Sequence, residues 1–329
     1  MTPSGIYCRE GGFHVDPWAP VEQAIITHSH SDHAQPGSAA YLCAEPGLRL
    51  LRARLSDESV IEAIRYGESR MLGSVRVSLH PAGHVLGSAQ VRCERGGEVW
   101  VVSGDYKMQP DPTCSPFEPV RCHTFITEST FGLPVYRWQP SGEVFAGIHG
   151  WWQGNAEQGR TSLLLAYALG KAQRILAGLN PEIGPIFLHG AVERLTTLYQ
   201  EAGVSFPPWR HASTATREEL RRALVIAPPS AQGTPWTRRF GRFSAAMASG
   251  WMRIRGTRRR RAVDRGFVLS DHADWPALNQ AVAETGAGTV WVTHGYRAVF
   301  ARWLRERGLQ AETVETRFEG ERGDPEAGE

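Results

Sequence analysis

The chain has 329 residues, 36 of them Lys or Arg and 34 Asp or Glu, so a net charge of +2 by itself neither demands nor excludes a polyanionic partner. Its 41% hydrophobic and 21% charged residues are ordinary globular usage, enough for one large domain or two modest ones, and they exclude disordered, collagen-like and coiled-coil chains. No apolar run reaches the ~18 residues of a membrane helix, and residues 1–12 show no basic stretch followed by an apolar one, so neither a span nor a secretory leader is expected.

From Gly5 to Ser129 the sequence predicts short strands at Ile6-Tyr7, Phe13 to Val15, Ala24 to Thr27, Val75 to Leu79, Val99 to Val102 and Phe125 to Thr127, with a helix over Pro46 to Leu55. The middle alternates instead. Leu163 to Tyr167 reads as a strand, Lys171 to Leu176 as a helix, Ile186 to Leu188 as a strand and Glu193 to Ala202 as a helix, the pattern of parallel βαβ units. Beyond it, Gly266 to Leu269 and Thr289 to Val292 read as strands, each followed by a helix, and the acidic, Gly-rich 319–329 reads as a flexible tail. Charge follows the same division: residues 136–265 hold 19 basic and 8 acidic side chains, the remainder 17 and 26. Such segregation is expected when one region meets a polyanion and the other collects metal-binding carboxylates. Only Lys107 and Lys171 are lysines, the other 34 basic residues being Arg, for which genomic base composition is the simplest cause. Five scattered cysteines, Cys8, Cys43, Cys93, Cys114 and Cys122, form no CxxC pair and suit the reduced thiols of a cytoplasmic protein.

The strongest local signal is Thr27-His28-Ser29-His30-Ser31-Asp32-His33, an apolar strand running into three histidines and an aspartate. At a strand end, His28 and His30 have the two-residue spacing that turns both imidazoles to one side, while Asp32 and His33 fall in the next turn and face a second centre. Imidazole and carboxylate ligands suit zinc, manganese or iron. Four further strands end in ligand-type residues: at His80 and His84, at Asp105, at Asp271-His272 and at His294. The remaining histidines, His14, His80, His123, His149, His189 and His211, are read as structural, although His189-Gly190 mimics the strand-to-His-Gly pattern.

These residues carry a family resemblance. The HxHxDH element from His28 to His33, Gly83-His84 and Ser103-Gly104-Asp105 resemble successive motifs of the metallo-β-lactamase fold, and Asp16 resembles its first, supporting aspartate. Glu128 in TESTFG, His272 in LSDHAD and His294 in THG resemble motifs A, B and C of the β-CASP nucleases, and Gly170-Lys171 a helix start in their inserted domain. The similarity runs from about Gly5 to Phe318, and stretches such as Asp16-Pro17-Trp18 and Ser249-Gly250-Trp251-Met252 look most like the bacterial DNA exonucleases associated with an ATP-dependent DNA ligase.

The resemblance implies an α/β chain: a four-layer αββα metallo-β-lactamase sandwich from residues 1–136 and 266–318, with an α/β β-CASP domain inserted at 137–265. It implies two divalent ions, Zn or Mn, with His28, His30 and His84 on one, Asp32, His33 and His294 on the other, and Asp105 bridging. A hydroxide shared by the metals would hydrolyse the phosphodiester, with Asp32 and Asp105 in the catalytic centre, His272 as general acid and Glu128 orienting it. Lys171, Arg253, Arg255, Arg258, Arg259, Arg260 and Arg261 are the candidate nucleic-acid contacts. The implied function is a cytoplasmic exonuclease of single-stranded or end-containing DNA in repair, beside a ligase and a helicase and with 5′-to-3′ polarity by analogy. The alternative keeps the chemistry and takes RNA, as in RNase J or the mRNA 3′-end endonuclease, because a His at motif C, here His294, accompanies the RNA enzymes. A small-ester hydrolase would lack the basic insertion and motifs A to C, and a non-catalytic scaffold subunit would have lost ligands.

Overall fold

The structure is a computed structural model that describes residues 2–56, 58–256 and 262–315. The described residues up to Arg137, with those from His272 onward, form one compact unit, and Trp138–Asp271 forms a second.

The first unit holds two sheets. One has the order β1 (Ile6–Cys8), β2 (Phe13–Val15), β3 (Gln23–Ile25), β4 (Ala40–Ala44) and β5 (Ile61–Ile64), antiparallel between β1 and β2 and parallel thereafter. The other contains β6 (Ser69–Leu72), β7 (Val75–Pro81), β8 (Ala89–Arg95), β9 (Glu98–Val102) and β10 (Thr124–Glu128), followed by β17 (Thr289–Thr293) and β18 (Gln310–Thr313), so the C-terminal segment completes a sheet begun by the N-terminal one. Alternation along these strands separates the layers. Ile25, Leu42, Ile64, Val77, Leu79, Val102 and Ile126 meet between the two sheets, while their sequence neighbours face outward. On one outer face Ala24, Ile26, Tyr41 and Cys43 cover Leu51 of the helix α1 (Leu48–Arg54). On the other, Val101, Phe125, Val290 and Val292 pack on the two C-terminal helices, through Leu278 and Val282 of Trp275–Thr285 and Phe300 and Leu304 of Arg297–Glu306. Helix, sheet, sheet, helix is the four-layer order that the motifs imply.

The second unit is a single parallel sheet ordered β13 (Arg210–His211), β12 (Ile186–Leu188), β14 (Leu224–Ala227), β11 (Thr161–Leu165), β15 (Phe243–Ala248) and β16 (Arg265–Phe267). The centre of β11 is Leu163-Leu164-Leu165, with Leu164 in one apolar cluster and Leu163 and Leu165 in another, so both faces of the sheet are covered. The strand over Arg265–Phe267, which the sequence places with the C-terminal flank, pairs with β15 inside this sheet. The helix α2 (Ser141–Glu157) is not legible locally because four glycines dilute its propensity; burial of Val144, Ile148, Trp151 and Trp152 holds it. Among the described residues no helix is long and apolar enough to cross a membrane.

Candidate metal centre

The first unit gathers its polar residues at the carboxyl ends of β3, β9, β10 and β17 and in the loop after β7. After β3 the chain leaves the sheet, and Asp16, at φ 44°, accepts hydrogen bonds from Thr27 N at 2.8 Å and the Thr27 hydroxyl at 2.6 Å. The same carboxylate lies 2.7 Å from His33 Nδ1, which turns His33 Nε2 inward. A tight turn, with His33 N donating to His30 O at 3.1 Å, brings the His33 ring back beside that of His28, their centroids 4.1 Å apart.

Asp105 is the common point. Its Oδ2 lies 3.6 Å from His28 Nε2, 3.8 Å from His84 Nε2 and 3.3 Å from His33 Nε2, and its Oδ1 lies 3.8 Å from His294 Nδ1. Three donor groups result, each tight enough to hold one ion: His28, His30, His84 and Asp105; His33, Asp105 and His294; and Asp105, Glu128 and His272. Asp32 Oδ2 sits 3.8 Å from His33 Nε2, beside the second group. The donor chemistry fits divalent cations. His30 Nδ1 faces His28 Nε2 at 3.0 Å and His84 Nε2 at 3.1 Å, although an imidazole nitrogen offers only one proton or one in-plane lone pair. His33 Nε2 and Asp105 Oδ1 are buried with polar neighbours at 3.3 and 3.8 Å but no well-formed hydrogen bond, a costly state that coordination of a cation removes.

Local electrostatics set the ligand histidines apart. Burial, then the neighbouring His33, His84 and His30, push His28 well below the usual imidazole range, leaving it neutral and ready to ligate. Burial opposes protonation of His33 too, but Asp105, Asp32 and Asp16 outweigh it and raise His33 well above that range. Burial alone would raise Asp105, yet His33 and His272 hold it well below the usual carboxylate range. Two non-glycine residues of the site, Asp16 and His294, stand in the left-handed backbone region. His294 has φ 51°, and a side chain on the following Gly295 (φ +64°) would run into Ser129 O at 2.4 Å. Non-glycine residues in the left-handed region are uncommon and gather where a side chain must be aimed.

Beside the donors, His272 Nδ1 lies 3.0 Å from both oxygens of Glu128. Glu128 is itself fixed by Tyr106 N at 2.9 Å and Thr130 N at 3.3 Å, and both residues are buried. A carboxylate pinned by backbone donors sets the orientation of the ring it touches.

The candidate nucleic-acid contacts fall apart into different environments. Lys171, at the start of the helix α3 (Lys171–Ala177), is fully buried, with its ammonium 3.7 Å from Asp271 Oδ2 and over the Tyr167 ring. Arg253 and Arg255 are exposed in the second unit. Arg258, Arg259, Arg260 and Arg261 lie outside the described residues. His189 is a helix cap, its Nδ1 accepting from Ala191 N at 3.1 Å, so the false His-Gly motif has a structural use. Sequence reasoning missed Thr27, Lys107 and Asp111. Thr27 carries no compositional signal, but Lys107 has one, as one of two lysines among 36 basic residues, and the structure buries both completely.

No sequence-family model matches the chain. It is 33% identical over 309 residues to a protein named Probable DNA ligase from Opitutus terrae, a match covering 93% of this chain and 30% of that one. It is 28% identical over 194 residues to Endoribonuclease ysh-1 of Neurospora crassa, covering 55% of this chain and 22% of the relative. These likenesses support the metallo-β-lactamase/β-CASP family. The chain thus spans less than a third of the length of either relative. A protein of unknown function from Enterococcus faecalis has the same fold, with a TM-score of 0.59 at 11% identity over 91% of this chain and 80% of that one.

Proposed function

We propose that the chain is a metal-dependent phosphodiesterase of nucleic acid, and specifically a DNA exonuclease of end processing, in which His28, His30 and His84 hold one ion, Asp32, His33 and His294 a second, and Asp105 serves both. The observation that carries this reading is the Asp105 carboxylate, within 4.0 Å of five histidines that come from four separate stretches of chain. Two zinc or manganese ions held there would supply an activated water and offset charge on the scissile phosphate. The protein's own part is geometric. Asp16 and Thr27 fix the HxHxDH turn, and Glu128 engages His272 Nδ1 so that proton delivery to the leaving oxygen falls to Nε2. Glu128 also stabilises the imidazolium that such a donor requires.

Polyanion binding is assigned to the second unit, and the excess of basic residues over 136–265 supports it. DNA is preferred as substrate because the relative matched over 93% of this chain is named a DNA ligase, and the same likeness supports work alongside ligation. A second reading, cleavage of RNA, is favoured by His294 and by the likeness to an endoribonuclease. Labelled single-stranded DNA and RNA of one sequence, given to the manganese- or zinc-loaded protein with Asp105→Ala as control, separate them. Stepwise loss of DNA nucleotides with RNA spared is the expected result. Preferential RNA cleavage selects the second reading, and cleavage of neither overturns both.

A further inference from the structure

Segment 105–118 does more than carry Asp105. Lys107 N donates to Ala82 O at 3.1 Å, the Cys114 thiol to Gly83 O at 3.4 Å and Lys107 Nζ to His84 O at 3.3 Å, so three successive carbonyls of the loop that bears His84 are held by the stretch that bears Asp105. Pro81 O, just before them, accepts from Glu118 N at 3.1 Å. The loop also closes tightly on this stretch, since a side chain at Gly83 would meet Lys107 O at 2.2 Å. The Lys107 ammonium is itself held by Asp111 Oδ2 at 2.6 Å, and Asp111 Oδ1 accepts from the backbone and hydroxyl of Thr113 at 2.9 and 2.6 Å. Both side chains of the pair are enclosed, at 0% and 3% exposure.

An enclosed ion pair is a poor source of stability, because desolvation of both charges consumes most of their attraction. Composition makes its retention informative. Where 34 of 36 basic positions are Arg, a buried Lys marks a place whose shape takes a compact ammonium on a slim stem and not a planar fork.

We propose that Lys107, braced by Asp111, is a positioning residue of the metal centre: it locks the backbone of the His84 loop to the segment of Asp105 and so sets the separation of two ligands of the first ion. This rests on the metal reading above. Its removal weakens that ion's binding most, because His84 belongs to the first group alone, and outer-sphere losses of this kind typically cost about 10- to 100-fold in affinity.

The test titrates metal-stripped protein with Co²⁺, reading stoichiometry and the visible d–d spectrum, with circular dichroism to monitor the fold. The variants are Lys107→Met and the double variant Lys107→Met/Asp111→Leu. The double variant leaves no lone buried charge and keeps the test valid where the single one fails to fold. Wild type and His84→Ala serve as references. Expected are two ions in the wild type, one in His84→Ala, and in the folded double variant one ion bound at least about tenfold more weakly with an altered spectrum. A double variant with wild-type affinity for both ions and an unchanged spectrum overturns the positioning role. A wild-type chain that takes up no Co²⁺ overturns the metal reading itself, and this inference with it.

Discussion

Asp105 and His272 sit 4.0 Å apart and are assigned opposite tasks, one binding and one chemical. That difference is measurable. His84→Ala removes one ring from the first donor group, so metal content by mass spectrometry falls and phosphodiesterase activity goes with it. His272→Ala removes no ligand assigned to either ion; metal content stays at the wild-type value while turnover drops about 100-fold or more, the usual worth of a positioned acid. A His272→Ala enzyme with unchanged turnover would reduce the Glu128 pair to packing. The titrations have a definite sign. In metal-free protein, His33 contributes stability that is full below pH 6.5 and lost as pH rises through its raised value, and Asp105 contributes stability present above pH 3.8 and lost as pH falls through its depressed one. A ligating imidazole must be neutral, so the His33 proton competes with the ion. Apparent metal affinity therefore climbs with pH from 6.5 upward, by up to about tenfold per unit for one displaced proton, and levels off above the raised His33 value. A flat affinity across that range contradicts the assignment of His33.

Strand ends do most of the positioning, and they were also the most readable part of the sequence. The runs at Phe13 to Val15, Val99 to Val102 and Ile186 to Leu188 are strands within a residue or so of the expected limits. Their apolar cores and abrupt polar ends are local features. What stayed hidden was set by distant partners: β6, largely exposed, and β5, with only Ile64 fully buried, exist through pairing, and α2 through burial. The same division holds at the site. His28, His30, Asp32 and His33 are legible by spacing, His84, Asp105, His272 and His294 by their places after apolar strands, and Glu128 by resemblance alone, whereas the contacts of Thr27 and Lys107 are with groups that only folding brings near. Gly104 belongs with them. At φ +57°, with a Cβ placed 2.6 Å from Thr27 Cβ, Gly104→Ala strains the junction that also holds Asp16. It should cost about 1–3 kcal/mol in urea unfolding and lower metal affinity in parallel. His189→Ala is the contrasting case: loss of a helix cap costs about 0.5–1 kcal/mol and leaves metal content untouched.

At the scale of the whole chain, the proposed function gives the reaction to the carboxylates and histidines of the first unit and the anchoring of the polyanion to the arginines of the second. Affinity for oligonucleotide should therefore fall as salt rises, and Arg253→Glu/Arg255→Glu should shallow that dependence without altering metal content. A salt-independent affinity would remove the anchoring role. The central claim, that seven side chains hold two ions through one shared carboxylate, is tested most directly by native mass spectrometry of the metal-loaded protein. Two ions per wild-type chain, one in His84→Ala and loss of both in Asp105→Ala is the predicted result. A single ion in the wild type, or two retained in Asp105→Ala, contradicts it.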